Sequence, residues 1–218
     1  SYSHPINQGF DVAKLKEIDL LIIDAINKKM TPGAQILVSK NGDVIYNKSF
    51  GKMTYDSERK IKWDDLYDLA SLTKILSTVP LMIEEYEKKT INLETTLDQM
   101  FPNLDLFDKS KLTIKEMFTH QSGLLPWIPF YKKTLDSVSN QPDEFWYKTK
   151  KNNEFSIPVS ENLFLNKTFL EVMSQEIIDS ELSSDKSYVY SDLPYYFMKT
   201  FLEKNNLESL DTQLKKKF

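Results

Sequence analysis

All five glycines of this chain (Gly9, Gly33, Gly42, Gly51 and Gly123) fall in its first part, and none follows Gly123. Backbone geometries that require glycine are therefore closed to the whole C-terminal stretch. A Walker phosphate loop, a GxGxxG turn and a GxSxG nucleophile elbow each need a glycine, for positive φ or for close approach of the backbone. None of these three motifs is therefore available after Gly123.

Composition narrows the class further. A chain of 218 residues with 40% hydrophobic and 28% charged residues can bury a substantial core. The formal net charge of -4 argues against a nucleic-acid partner. The short lysine clusters, Lys148, Lys150 and Lys151, and Lys215 to Lys217, sit among acids and read as solvated surface. With no cysteine, thiolate catalysis, disulfides and Cys-ligated metals are excluded. No apolar run approaches the roughly 18 residues of a membrane span. The chain starts at Ser1 and shows no signal peptide, so it reads as a piece of something longer.

Residues 11–30 read as an amphipathic helix, with Leu15, Ile18, Ile22 and Ile26 on one face, stopped by Thr31-Pro32-Gly33. Two β-rich runs, 35–40 and 43–46, flank Asn41-Gly42 and predict a hairpin. Residues 71–88 are helical in pattern, with Leu72, Ile75, Val79, Met82, Ile83 and Tyr86 on a face expected to be buried and Pro80 expected to kink it. A short helix is expected at 112–118. Residues 121–166, rich in aromatics, are expected to form a long ordered loop. Further helices are expected at 167–178, 192–204 and 207–217.

Chemistry can enter through Ser-x-x-Lys, which sets a hydroxyl and an amine one turn apart on one helix face. The pattern occurs four times: Ser49/Lys52, Ser57/Lys60, Ser71/Lys74 and Ser183/Lys186. Only Ser71/Lys74 opens a long apolar helix. There the helix dipole favours negative charge on the Ser oxygen, and burial would lower the amine's pKa and make it a base. A capping Ser with a snorkelling Lys fits the same residues, and Tyr190 by itself reads as an aromatic packing residue in a tyrosine-rich stretch. His4 and His120 have no clustered partner, so no metal is expected, and a triad built on His120 lacks a supporting motif.

Four segments occurring in order carry a family resemblance. "DLASLTK" (68–74) resembles the nucleophile segment of class C β-lactamases and related D,D-peptidases and esterases. The run from Gly33 to Gly51 resembles their opening strands, and "LTIKEMFTHQSGL" (112–124) the segment that follows the nucleophile helix. "YVYSDLPYYFMKTFLEK" (188–204) is similar to the Tyr-x-Asn motif and the helix after it. The resemblance implies an α+β, serine β-lactamase/transpeptidase-like αβα fold with a mostly helical subdomain. It implies Ser71 as the nucleophile forming an acyl-enzyme, Lys74 assisting its deprotonation, and Tyr190 as general base and then acid. No cofactor is implied. "LLPWIPFYKKTL" (124–135) resembles a subgroup in which this domain sits behind a β-N-acetylglucosaminidase-like glycoside hydrolase domain. An exported, periplasmic or cell-envelope location and a peptidoglycan-derived or small-molecule substrate follow from the resemblance alone.

Two departures qualify it. Asp192 stands where the motif usually has Asn. As a substrate-binding residue, a carboxylate would repel anionic substrates and hold Lys74 protonated; it could equally cap the following helix. No Lys-Thr-Gly or His-x-Gly motif follows Tyr190. One domain is therefore expected over 1–218, incomplete at its C-terminus, with 1–70 and 71–190 as its mixed and helical parts and 191–218 as returning helices. The alternative function is a non-catalytic β-lactamase-like binding or structural module of a larger cell-wall hydrolase.

Overall fold

A computed structural model of the chain describes residues 1–217; Phe218, the last residue of the expected domain, lies outside them. The chain divides into two compact units, Ser1–Asp68 and Leu69–Phe218.

In the first unit Asp11 caps helix α1 (Val12–Asn27), its carboxylate accepting the Ala13 N–H at 2.8 Å. Leu15, Ile18, Ile22 and Ile26 are half-buried along one face, as their spacing predicts. Strands β1 (Gly33–Lys40) and β2 (Asp43–Gly51) pair antiparallel from Gly33↔Gly51 to Lys40↔Asp43. Asn41 and Gly42 make the turn at φ 54° and 81°, both in the left-handed region that a tight hairpin demands. Helix and hairpin are tied by Asp19, which accepts from the Tyr46 hydroxyl at 2.5 Å and pairs with Lys48 at 2.6 Å.

The second unit is largely helical: α2 (Val79–Glu87), α3 (Leu97–Met100), α4 (Ile114–Phe118), α5 (Phe169–Asp179), α6 (Leu193–Asn206) and α7 (Leu210–Lys217). The two short helices start on capping boxes, Thr96/Gln99 and Thr113/Glu116. The expected loop is not wholly irregular. Residues 147–166 form a three-stranded antiparallel sheet, β3 (Tyr147–Lys148), β4 (Phe155–Ser160) and β5 (Leu163–Asn166), in the order β3-β5-β4. Its signal is weak because the strands are short and β4 holds Pro158, although Asn162 at φ 55° marks the turn.

The helix after Ser71 also departs from expectation. A π-helical turn, Lys74–Thr78, precedes α2, with the Val79 N–H donating five residues back to the Lys74 carbonyl. Pro80 cannot donate, so the ladder cannot run in α register across this point, and it slips by one residue just before. One extra residue turns the following face by about 100°. The core receives Met82, as expected, together with Ser77, Thr78, Leu81 and Glu85, while Leu72, Ile75, Leu76, Ile83 and Tyr86 stay half-exposed.

The core is continuous across this unit, with Leu97, Ile114, Met117, Ile177, Leu193, Met198 and Leu202 essentially without exposure. Each such side chain contributes about 1.5–3 kcal/mol relative to exposure. Leu193, Phe197, Met198, Phe201 and Leu202 anchor α6, which fixes the residues at its head. Lys109, only 1% exposed, donates to the carbonyls of Ile178 at 2.8 Å and Ser180 at 2.5 Å and so closes the end of α5. Lys109→Met keeps the bulk but orphans both carbonyls, and should cost about 2–4 kcal/mol in denaturant unfolding. An unchanged midpoint would show that those carbonyls find other partners.

Among the described residues no helix is long and apolar enough to cross a membrane.

Candidate active site

Ser71 lies in the turn that opens the π/α2 helix. The Leu72, Thr73 and Lys74 N–H groups donate back to the carbonyls of Leu69, Ala70 and Ser71 at 2.9–3.0 Å. Ala70 adopts φ 44°, a left-handed conformation uncommon for a residue with a Cβ. Such strain, together with a π turn, is frequent at functional sites. Ser71 is exposed at the head of the helix, and the Lys74 ammonium donates to its Oγ at 3.0 Å.

Lys74 is the hub. Its side chain is only 16% exposed, and its Nζ lies 2.7 Å from Asp192 Oδ1. It sits over the rings of Tyr190 and Tyr195, at 5.5 and 5.4 Å from their centroids. Asp192 occupies the N-cap position of α6, but its side chain makes no capping hydrogen bond and goes to Lys74 instead. Ser191 takes over there, its Oγ accepting the Leu193 N–H at 3.2 Å. Four residues named from the sequence, Ser71, Lys74, Tyr190 and Asp192, thus gather at one amine.

The electrostatics differ from expectation at Lys74. Burial pulls its pKa down, but the Asp192 carboxylate and a hydrogen bond with Tyr190 outweigh it, and the amine ends above its ordinary 10.5. Lys74 is therefore an ammonium at neutral pH, with donors for Ser71 and for its other neighbours. It can stabilise an alkoxide on Ser71, but it holds no free lone pair to take the proton.

Sequence reasoning did not place Tyr195 or His120 at this cluster. Tyr195 lies one turn into α6 against Lys74, its phenol held up by burial. Its only signal was the tyrosine-rich run at 188–196. The His120 ring lies on that of Tyr190, with centroids 4.5 Å apart. Ser122, in the same segment, is 1% exposed and closed to attack. Lys74, Asp192 and Tyr195 border an open cleft of about 300 Å³. A larger groove of about 880 Å³ between α5 and α6 contains none of these three. The polar convergence, not volume, marks the site.

The Beta-lactamase family profile matches residues 21–217. Penicillin-binding protein 4* of Bacillus subtilis (strain 168) is 21% identical over 183 residues, covering 84% of this chain and 35% of its own. The octameric penicillin-binding protein homologue from Pyrococcus abyssi superposes with a TM-score of 0.66 at 18% identity, over 96% of this chain and 42% of that one. A class C β-lactamase does so with a TM-score of 0.64 at 18% identity, over 99% and 50%. The chain thus spans half or less of the length of each of these relatives. Its mixed α/β architecture is that of the serine β-lactamase/transpeptidase fold. By its sequence match over nearly all residues, the chain belongs to the Beta-lactamase family.

Proposed function

We propose that Ser71 is the nucleophile of a serine hydrolase that cleaves an ester or amide through an acyl-enzyme. The observation that carries this reading is the Lys74 Nζ–Ser71 Oγ contact of 3.0 Å, met at the same amine by Tyr190 and Asp192 from a distant segment. In the proposed reaction Ser71 Oγ attacks the carbonyl while Lys74, as an ammonium, stabilises the forming negative charge. Tyr190, acting as its phenolate beside the Lys74 ammonium, takes the Ser71 proton and, as the phenol, returns it to the leaving group. Water then releases the acyl group. Peptidoglycan-derived substrates and a cell-envelope location suit a family member whose relative is named for binding penicillin, and belong to this proposal.

Treating the protein with a chromogenic ester or an acylating β-lactam and mapping adducts by mass spectrometry tests it. One adduct on the peptide holding Ser71 is expected; an adduct elsewhere would overturn the assignment.

Asp192 sets the charge preference within this reading. Its carboxylate beside the nucleophile should disfavour substrates that carry their own carboxylate. Asp192→Asn should speed acylation by a carboxylate-bearing β-lactam about 10–100-fold, the order of one like-charge repulsion near a protein surface. The rate with a neutral ester should change much less. Equal responses to both substrates would remove Asp192 from substrate selection.

The same Lys74–Asp192 pair favours a second reading, a module that binds but does not turn over, because it ties up the amine. Acylation of Ser71 without release of the acyl group would select it.

A further inference from the structure

We propose that His120 is the positioning residue for Tyr190, clamping the chain on both sides of it. This rests on the reading that Tyr190 acts at Ser71. His120 follows α4 in a left-handed conformation, φ 55°. Its carbonyl accepts the Val189 N–H at 2.9 Å, and its Nδ1 accepts the Ser191 N–H at 3.2 Å. The residue between the two donors is Tyr190, whose ring lies on the imidazole at 4.5 Å and a 40° tilt. Tyr188 meets the same imidazole edge-on at 5.8 Å, and Tyr195 lies at 6.3 Å.

The clamp matters because Tyr190, 43% exposed, lies outside the regular elements and must be held on the chain just before α6. Leu193 and Pro194 fix the head of α6, the buried Ser191 bonds the Leu125 carbonyl, and the two His120 contacts add a hold on each side of Tyr190. By taking both flanking N–H groups, His120 leaves residue 190 little freedom to turn away from Lys74.

Accepting at Nδ1 requires a neutral imidazole with its proton on Nε2. The groups facing the ring are Tyr188, Tyr190, Tyr195, Lys74 and Asp192. Burial lowers the imidazole pKa below its ordinary 6.5, the Lys74 charge lowers it further, and Asp192 opposes both. The clamp is therefore closed at neutral pH, and protonation in acid turns the acceptor into a donor facing the Ser191 N–H.

Two variants separate acceptor from ring. His120→Asn keeps an acceptor near the Nδ1 position and tolerates the left-handed backbone; His120→Phe keeps a ring and loses the acceptor. Amide hydrogen exchange at Ser191 and the rate of Ser71 acylation are measured for both, with circular dichroism to check folding. In His120→Phe, exchange at Ser191 should accelerate about tenfold, the worth of one hydrogen bond. Acylation should slow about 10–100-fold, as expected when a catalytic group is displaced. His120→Asn should return both to near the parent values, and should lose an acid limb that the parent shows below pH 6.5. Folded His120→Phe with parental exchange and acylation overturns the proposal, as does a folded His120→Asn that rescues neither. If the parent itself takes no adduct, the hydrolase reading fails, and the exchange measurements alone decide whether the clamp exists.

Discussion

Ser71→Ala should abolish acylation, and Lys74→Met should slow it by about 10²–10⁴-fold, the range of a lost proton-handling or charge-stabilising group. The two effects come from one geometry. Ser71 is exposed, and the Lys74 ammonium donates to its Oγ at 3.0 Å. Met fills the same space without the charge, so an alkoxide forming on Ser71 would lose its stabilising donor. Asp192 would then stand as an unpaired carboxylate beside the nucleophile, raising the barrier further.

The pH dependence follows from the sign of the Lys74 shift. Its pKa is raised in the folded protein, so the favourable interaction is complete below 10.5 and is lost as pH rises through the higher folded value. Between pH 7 and 9 acylation should therefore show no step belonging to Lys74. A step near pH 8 that disappears in Lys74→Met would make the lysine a base and would contradict its pairing with Asp192.

The parts of this site legible in the sequence are those set by local chain geometry. Ser71 and Lys74 are one turn apart, and any helix brings them together. The Asn41-Gly42 hairpin is equally local. The meeting of Tyr190 with Lys74 depends on how α6 docks, which no spacing encodes; only the family resemblance supplied it. Asp192 illustrates a competition that the sequence could not resolve. A carboxylate at a helix head can cap or can pair with a cation. Here the half-buried ammonium won, and Ser191 bonds the Leu193 N–H in its place. The β3–β5 sheet was missed because short strands containing Pro158 resemble a loop. The exposure of Ile83 and Tyr86 on α2 was missed because apolar spacing does not record the π turn before them, which rotates the stripe.

Gly123→Ala should be the most damaging single-methyl addition in the second unit. Gly123 has φ 78°, and a Cβ there would lie 2.3 Å from the Ser183 carbonyl oxygen. That neighbour is backbone and cannot swing aside, because the Ser183 N–H is itself bonded to the Gly123 carbonyl at 2.9 Å. The contact sits at the start of a seam joining residues 120–126 to 183–192. Along it Lys186 Nζ bonds the Ser122 carbonyl at 2.6 Å, and the Val189 N–H bonds that of His120 at 2.9 Å. Farther on, Ser191 Oγ bonds the Leu125 carbonyl at 2.6 Å, and the Asp192 N–H bonds that of Pro126 at 2.8 Å. Pushing Ser183 away opens the seam that delivers Tyr190 and Asp192 to Lys74. Left-handed strain and overpacking together should cost about 2–4 kcal/mol. At about 2–4 °C per kcal/mol for a chain of this size, thermal unfolding should fall by roughly 4–16 °C. Gly42→Ala is the control, since it shares the positive φ but meets nothing within 4 Å. It should lower stability by only about 1 kcal/mol, the strain alone. Acylation of Ser71 should fall with Gly123→Ala even below its melting temperature and stay unchanged with Gly42→Ala. A Gly123→Ala protein that melts and acylates like its parent would mean that the two segments are not held together through this contact.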